Sequence, residues 1–326
     1  MTETMHVVEM REPGGPDVLV AGTRPVPVPA MGEVLIRVAA AGVNGPDLVQ
    51  RRGQYPPPKG ASDLLGLEVA GEVVAVGEGE VPWRVGDAVC ALVNGGGYAE
   101  AVAVDAGHCL PVPEGVAVED AAGLPETYCT VWSNVFHGHE VAEGRTLLVH
   151  GGAGGIGTTA VQLGAAFGLK VMATVSSDAA ARFVRDLGAE RAIDYTSEDF
   201  VAVCRDAGGA DIILDIVGGD YVVRNIKAAR PDGRIIQLAF NAGSRVEVDL
   251  MPVMLKRLTL TGSTLRSRPD AFKAAVAADL RERVWPLFAA RRLKPVTHAI
   301  LPLSEAAEAH RMIEAGGHRG KILLQP

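Results

Sequence analysis

Chemistry is most legible in the stretch HGGAGGIG at 150–157, where Gly151, Gly152, Gly154, Gly155 and Gly157 contain both G-x-G-x-x-G and G-x-x-G-x-x-G. Glycines at that spacing permit a tight turn and let a pyrophosphate reach backbone N–H groups at a helix N-terminus. Leu147, Leu148 and Val149 precede the turn as a short apolar run suited to a buried parallel strand. Ile156, Ala160, Leu163 and Phe167 follow it at helical spacing. Strand, glycine turn and helix together predict a dinucleotide site, with Gly151, Gly154, Gly155, Ile156 and Gly157 against the phosphates. An ordinary glycine-rich βα loop is the competing reading.

A second group of polar candidates lies in the long connection AAGVNGPDLVQRRGQYPPPKGASDLLGLEVAG, at 40–71. Long loops on rigid scaffolds often carry function. Asn44, Asp47 and Tyr55 are its candidate site residues. Asp47 also suits a charge at a helix N-terminus, and Tyr55 can pack on Pro56, Pro57 and Pro58.

Two kinds of scaffold must position these groups. Up to about residue 124 the chain is rich in Val, Gly and Pro, with short strands expected at 34–38, 68–76, 88–93 and 98–104. This pattern predicts a compact, partly open β-barrel. From Pro125 onward βα alternation takes over. A helix is expected at 126–136, and strands at 147–149, 170–175, 191–194, 211–217, 234–239 and 258–262. Helical segments fall between most of them, which predicts a six-strand doubly wound parallel sheet. A mostly helical return at 265–293 should lead the tail back to the first domain. The expected domains are 1–124 with 264–326, discontinuous, and 125–263 between them.

The 326 residues fit about two domains. Hydrophobic content of 48% and charged content of 21% suit a globular protein with a sizeable core. The formal charge of −8 argues against general nucleic-acid or anionic-membrane binding. No apolar run reaches the roughly 18 residues of a membrane span, and the first residues lack a signal-peptide core. Four scattered cysteines, Cys90, Cys109, Cys129 and Cys204, read as reduced thiols in a cytoplasmic protein.

The chain resembles the quinone oxidoreductase branch of the medium-chain dehydrogenase/reductase superfamily, particularly its tumour-suppressor-inducible type. The resemblance is carried by Gly14–Gly15, Asn44 with Asp47–Leu48, Gln54–Tyr55 and its prolines, Gly66–Gly71, Val85–Asp87 and Gly95–Gly97. Pro125–Glu126, the glycine turn, Leu265–Arg268 and Gly320–Lys321 continue it in collinear order. It implies a GroES-like catalytic domain, a Rossmann cofactor domain and hydride transfer to a quinone. Zinc alcohol dehydrogenases share the superfamily. Where they carry a cysteine this chain has Asn44, and where they have Gly-His-Glu it has Gly66–Leu67–Glu68. With no four-cysteine lobe either, no metal is expected. The cluster His137, His139 and Glu140 reads as a solvated turn.

The end of the second sheet strand selects the nicotinamide cofactor. A carboxylate there would bond the ribose 2′-OH of NAD and repel a 2′-phosphate. Here the position is Val175, followed by Ser176 and Ser177. Asp178 favours NAD on spacing alone, but it also suits an N-cap for the next helix. Tyr195 matches a tyrosine the relatives place near the 2′-phosphate, whereas Ala180 stands where they often have a phosphate-binding lysine. Arg182 can replace that lysine or lie on a solvated face. NADPH is the expected cofactor. The resemblance further implies Thr130, Phe240, Arg266 and Lys321 around it, with surface ion pairing the competing role for the two cations.

A quinone is strongly electrophilic and needs no Lewis acid; the reduced anion needs hydrogen-bond donors. Tyr55 is the expected donor, with Asn44 orienting the ring or the nicotinamide. Reduction of α,β-unsaturated carbonyls and a non-catalytic, crystallin-like NADPH-binding role are the alternatives. Leu258, Leu260 and Gly262 on the last strand of the sheet predict an apolar edge. Relatives commonly pair there, and a homodimer is expected.

Overall fold

The computed structural model describes residues 3–326. Its strands, in chain order, begin with β1 Thr4–Met10, β2 Leu19–Pro25, β3 Glu33–Val43, β4 Glu68–Val76, β5 Ala88–Leu92, β6 Ala101–Asp105 and β7 Cys109–Pro111. They continue with β8 Thr146–Val149, β9 Lys170–Val175, β10 Arg191–Asp194, β11 Ala210–Asp215, β12 Ala229–Gln237 and β13 Thr259–Gly262. The chain closes with β14 Thr297–Pro302 and β15 Lys321–Gln325. Two compact units result: Met1–Thr130 with Leu265–Pro326, and Val131–Thr264.

The sequence placed the first break after residue 124, but it falls after Thr130. The start of the helix Pro125–Val135 is held in the first unit, where Glu126 N–H donates to Glu68 and Tyr128 packs on Trp285 and Phe288.

In the first unit, β14-β15-β3-β4-β5-β7 form one sheet, with β6 also pairing β3 and with β1-β2 as a separate hairpin. Val34, Ile36, Val69, Val73, Val89 and Ala91 alternate inward along β3, β4 and β5 to fill its core. The tail does rejoin this unit, since β15 pairs antiparallel with β3. The expected strand at 98–104 starts later, at Ala101, because Gly95 and Gly96 hold positive φ and Tyr98 closes the following loop.

In the second unit the sheet is parallel throughout, in the order β10-β9-β8-β11-β12-β13. It is the doubly wound order, with β8 at the centre and the crevice beyond its carboxyl end. The predicted β9 and β10 match the observed bounds. β12 starts five residues early, at Ala229: Asp232 adopts φ of 62° and the register against β11 shifts between Ala210 and Ile212. Pro231-Asp232-Gly233 looks like a terminating turn in sequence, yet the ladder runs past it. No helix among the described residues is long and apolar enough to cross a membrane.

Candidate functional site

In the second unit the glycine turn joins β8 to the helix Gly155–Ala166. Gly151 has φ of 71°. A Cβ on Gly157 would lie 2.2 Å from Gly151 O and 2.6 Å from Gly152 Cα, so backbone contacts backbone at this point. Gly154 is the N-cap and supplies no side-chain acceptor. The first N–H groups of a helix lack intrahelical partners, so this end suits an anionic phosphate.

Beneath the turn lies a buried polar chain that motif reading missed. His150 joins Thr174 Oγ1 through Nδ1 at 3.2 Å and Asn225 Oδ1 through Nε2 at 2.7 Å. Asn225 Nδ2 donates to Asp215 Oδ2, whose other oxygen accepts from Val217 and Gly218 N–H. Thr174 Oγ1 accepts from Gly151 N–H at 3.2 Å. The carboxyl ends of β8, β9 and β11 are thereby tied together. Burial pushes the His150 pKa down to about 4, so the ring is neutral at pH 7. In sequence, a lone His before the glycines gave no hint of partners up to 75 residues away.

At the end of β9, Ser176, Ser177, Arg182 and Tyr195 are all exposed, and Tyr195 N–H donates to Val175 O at 3.0 Å. The N-cap of the next helix, Asp178–Asp186, is Ser177, which accepts from Ala180 N–H at 3.2 Å. Asp178 is therefore the first helical residue, a correction of one position to the expected cap. Ala180 is 7% exposed and supplies no phosphate-binding group. Arg182 makes no hydrogen bond or ion pair with a described residue. Phe240, 49% exposed, sits against Gly218.

In the first unit, Asn44 is the N-cap of the helix Gly45–Arg51, and its N–H donates to Asp47 Oδ2 at 2.8 Å. Asp47 Oδ1 accepts from Gly66 N–H at 3.1 Å. With no exposed surface, Asp47 positions Asn44 and does not itself reach a ligand, which corrects its place among the catalytic candidates. Asn44 Nδ2 donates to Glu68 Oε1 at 2.9 Å, and its Oδ1 accepts from Lys321 Nζ at 2.5 Å. Lys321 also donates to Val43 O at 3.0 Å and pairs with Glu68 Oε1 at 2.7 Å. Glu68 Oε2 accepts from Glu126 N–H at 2.8 Å.

Lys321 is 7% exposed and Arg266 6%, so neither plays the surface ion-pair role. Arg266 donates to Asn94 O through Nε at 2.9 Å and Nη2 at 2.6 Å, and to Gln50 Oε1 through Nη1 at 2.6 Å. Its guanidinium lies 5.5 Å from the centroid of the Tyr55 ring. The Tyr55 hydroxyl has no hydrogen-bond partner among the described residues, and burial and Glu126 raise its pKa. Thr130, half-buried, ends the first unit.

A second buried chain has a fixed polarity. Arg51 has only donors, so His310 Nδ1, 3.1 Å from Arg51 Nη1, must accept. The proton then sits on Nε2, which donates to Tyr98 OH at 3.0 Å, and Tyr98 donates to Asp47 Oδ2 at 3.2 Å. Burial and Arg51 push the His310 pKa down to about 3, which keeps the ring neutral. Burial raises Asp47 to about 6 against the bonds from Asn44 and Gly66, the Lys321 charge and the Tyr98 bond.

These donors do not fit a zinc ion. Leu67 offers no ligand atom, and the Glu68 oxygens are taken by Asn44, the Lys321 ammonium and Glu126 N–H. The phosphate cradle of the second unit, by contrast, fits a dinucleotide.

Residues 30–114 match the family described as alcohol dehydrogenase GroES-like domain, and residues 155–280 the family described as zinc-binding dehydrogenase. Human quinone oxidoreductase is 31% identical, over 98% of this chain and 97% of the relative. A mycobacterial protein solved in complex with NADPH is similar with a TM-score of 0.88 and 31% identity, over 99% of this chain and 100% of that one. Escherichia coli quinone oxidoreductase complexed with NADPH has a TM-score of 0.86 and 26% identity, over 98% of this chain and 100% of its own. At the identity and coverage of the human relative, the chain belongs to the quinone oxidoreductases of the medium-chain dehydrogenase/reductase superfamily.

Proposed function

We propose that this protein is a zinc-independent, NADPH-dependent quinone reductase. The observation that carries the reading is the Lys321 ammonium paired with Glu68, in the same unit as a Tyr55 hydroxyl that has no partner among the described residues. The Lys321 ammonium occupies the carboxylate that a metal would need, so the acceptor must be electrophilic without Lewis-acid help. A quinone meets that condition, and so does a conjugated enone. NADPH supplies the hydride. Gly151, Gly154, Gly155, Ile156 and Gly157 hold its pyrophosphate, while Ser176, Ser177, Arg182 and Tyr195 receive the 2′-phosphate. Thr130 in the first unit and Phe240 in the second are each candidates to contact the cofactor. Arg266 orients Tyr55, and Lys321 orients Asn44, so both act through neighbours within the first unit. Tyr55 donates to the reduced oxygen.

The test is NADPH oxidation by the purified protein against a panel of quinones and enones, with NADH as control. Quinones should turn over fastest. NADPH should bind at least about tenfold tighter than NADH, since one charge-assisted hydrogen bond contributes about 1.5–3 kcal/mol. Calorimetry giving equal or tighter NADH binding would refute the cofactor choice, and enones outpacing every quinone would reassign the acceptor.

We further propose a homodimer formed through β13 and the adjacent helix Met251–Lys256. All four residues of β13 are exposed, and Leu250, Met251, Met254 and Leu255 are 64%, 55%, 64% and 67% exposed. An open edge strand beside an apolar helix face favours pairing with a second copy. Sedimentation velocity at micromolar concentration should show a dimer; a single monomer boundary would refute it.

A further inference from the structure

Glu126 stands in the first turn of the helix Pro125–Val135, its N–H bonded to Glu68 Oε2. Its carboxyl makes no hydrogen bond or ion pair with any described residue. Unlike Asp47 and Glu68, which are fully buried, Glu126 keeps some exposed surface.

The charged groups that face it come from several elements: Glu68 on β4, Lys321 on β15, Asp47 on the helix Gly45–Arg51, and Arg266 ahead of the helix Asp270–Arg283. Tyr55 in the long loop feels its charge as well. Both cations are already committed, Lys321 to Val43, Asn44 and Glu68, and Arg266 to Asn94 and Gln50. Glu126 is thus a third carboxyl beside two others, with no cation bonded to it. Like charges so placed do not all ionise together. Burial and Glu68 push its pKa up to about 8, against the pull of Lys321 and Arg266, so the carboxyl holds a proton at pH 7.

We propose that Glu126 is the catalytic acid of this site, giving its proton to the substrate atom made anionic by reduction. The role rests on the NADPH-reductase reading. NADPH provides the hydride and with it both electrons. The Glu126 O–H bond breaks, leaving its electron pair on the carboxylate, and a lone pair of the substrate oxygen forms the new O–H bond. For an enone the new bond is at the α-carbon. Solvent then returns a proton to the carboxylate, so the acceptor gains one hydride and one proton per turnover. A poised acid of this kind contributes typically 10²–10⁴-fold.

Three measurements decide it. Carbon-13 NMR of the ligand-free protein, assigned through the backbone, should show the Glu126 carboxyl titrating near pH 8. The wild-type kcat/KM should fall about tenfold per pH unit above that point. Glu126→Gln should bind NADPH within about twofold of wild type, lose about 10²-fold in kcat/KM at pH 7 and lack the inflection. Tyr55→Phe removes a hydrogen-bond donor but not the proton source, so its rate should drop while the inflection stays. A Glu126 titration in the ordinary carboxylate range, or Glu126→Gln keeping its rate and its inflection, would overturn the role while leaving the reductase reading intact. No turnover by the wild type with any acceptor, despite NADPH binding, would overturn that reading and the role together. Should Glu126→Gln fail to fold, the wild-type titration and pH profile decide the matter.

Discussion

Lys321→Met is expected to cost about 3–5 kcal/mol, the range for removing one partner of a buried ion pair. All three acceptors of the ammonium lie within the first unit: Val43 O, Asn44 Oδ1 and Glu68 Oε1. Without it, Glu68 keeps a carboxyl group with no exposed surface and no cation bonded to it. The native state of most proteins is stable by only about 5–15 kcal/mol, so the loss is a large share. A chain of two units need not unfold in one step. Hydrogen exchange resolved by segment is therefore the appropriate measurement, and protection should fall across β3, β4 and β15. Glu68→Gln combined with Lys321→Met should recover more than half of the loss. The amide oxygen still accepts from Glu126 N–H, and once the Asn44 amide turns over, with Lys321 gone, the new amide nitrogen donates to Asn44 Oδ1. A single variant within about 1 kcal/mol of wild type would show that the pair does not support the fold as argued.

The second large effect is on dinucleotide binding. Alanine is favoured over glycine inside a helix by about 0.8–1 kcal/mol, so Gly157→Ala would stabilise the chain if space allowed. The new Cβ would instead meet Gly151 O at 2.2 Å and two atoms of Gly152 at 2.6 Å. These are backbone atoms and cannot rotate away. The turn must open, and its N–H groups leave the directions that a pyrophosphate requires. We expect at least about a 100-fold loss of NADPH affinity, about 2.7 kcal/mol. Gly154→Ala separates the causes, because its Cβ would meet nothing nearer than 3.7 Å. That variant should keep the melting temperature and lose binding only to the extent that phosphate rides against Gly154 itself. Gly157→Ala binding NADPH as well as wild type would remove the glycine turn from the cofactor site.

What the sequence made legible follows from the range of the interactions. The unit around β8 could be outlined because each strand and helix carries its own apolar period, and the glycines announce their turn over seven residues, 151–157. β12 was cut short because Pro231-Asp232-Gly233 obeys local turn chemistry while the parallel ladder with β11 overrides it. Asn44 and Tyr55 were visible as polar groups in a long loop. Their partners were not, since Lys321 lies 277 residues from Asn44 and His310 lies 212 from Tyr98. Composition and spacing carry no signal for such pairs. The same reason hid Glu126: its local context reads as an ordinary acidic first turn, favourable at a helix N-terminus. Only the spatial company of Glu68 and the committed cations reveals a carboxyl left to itself.

The antiparallel pairing of β15 with β3 also sets an order of events during synthesis. Strand β3 emerges from the ribosome early and β6 soon pairs its first half, but the partner of residues 41–43, β15, arrives only after the second unit has been translated, and the Lys321 that pairs with Glu68 is 278 residues behind Val43. The parallel sheet from β8 to β13 lies wholly within that interval and can complete itself first. Meanwhile the nascent barrel presents an open strand edge and an uncompensated acid, the kind of transient surface on which chaperones act. A ribosome stalled before residue 321 would therefore display a finished nucleotide-binding unit on an unfinished catalytic one.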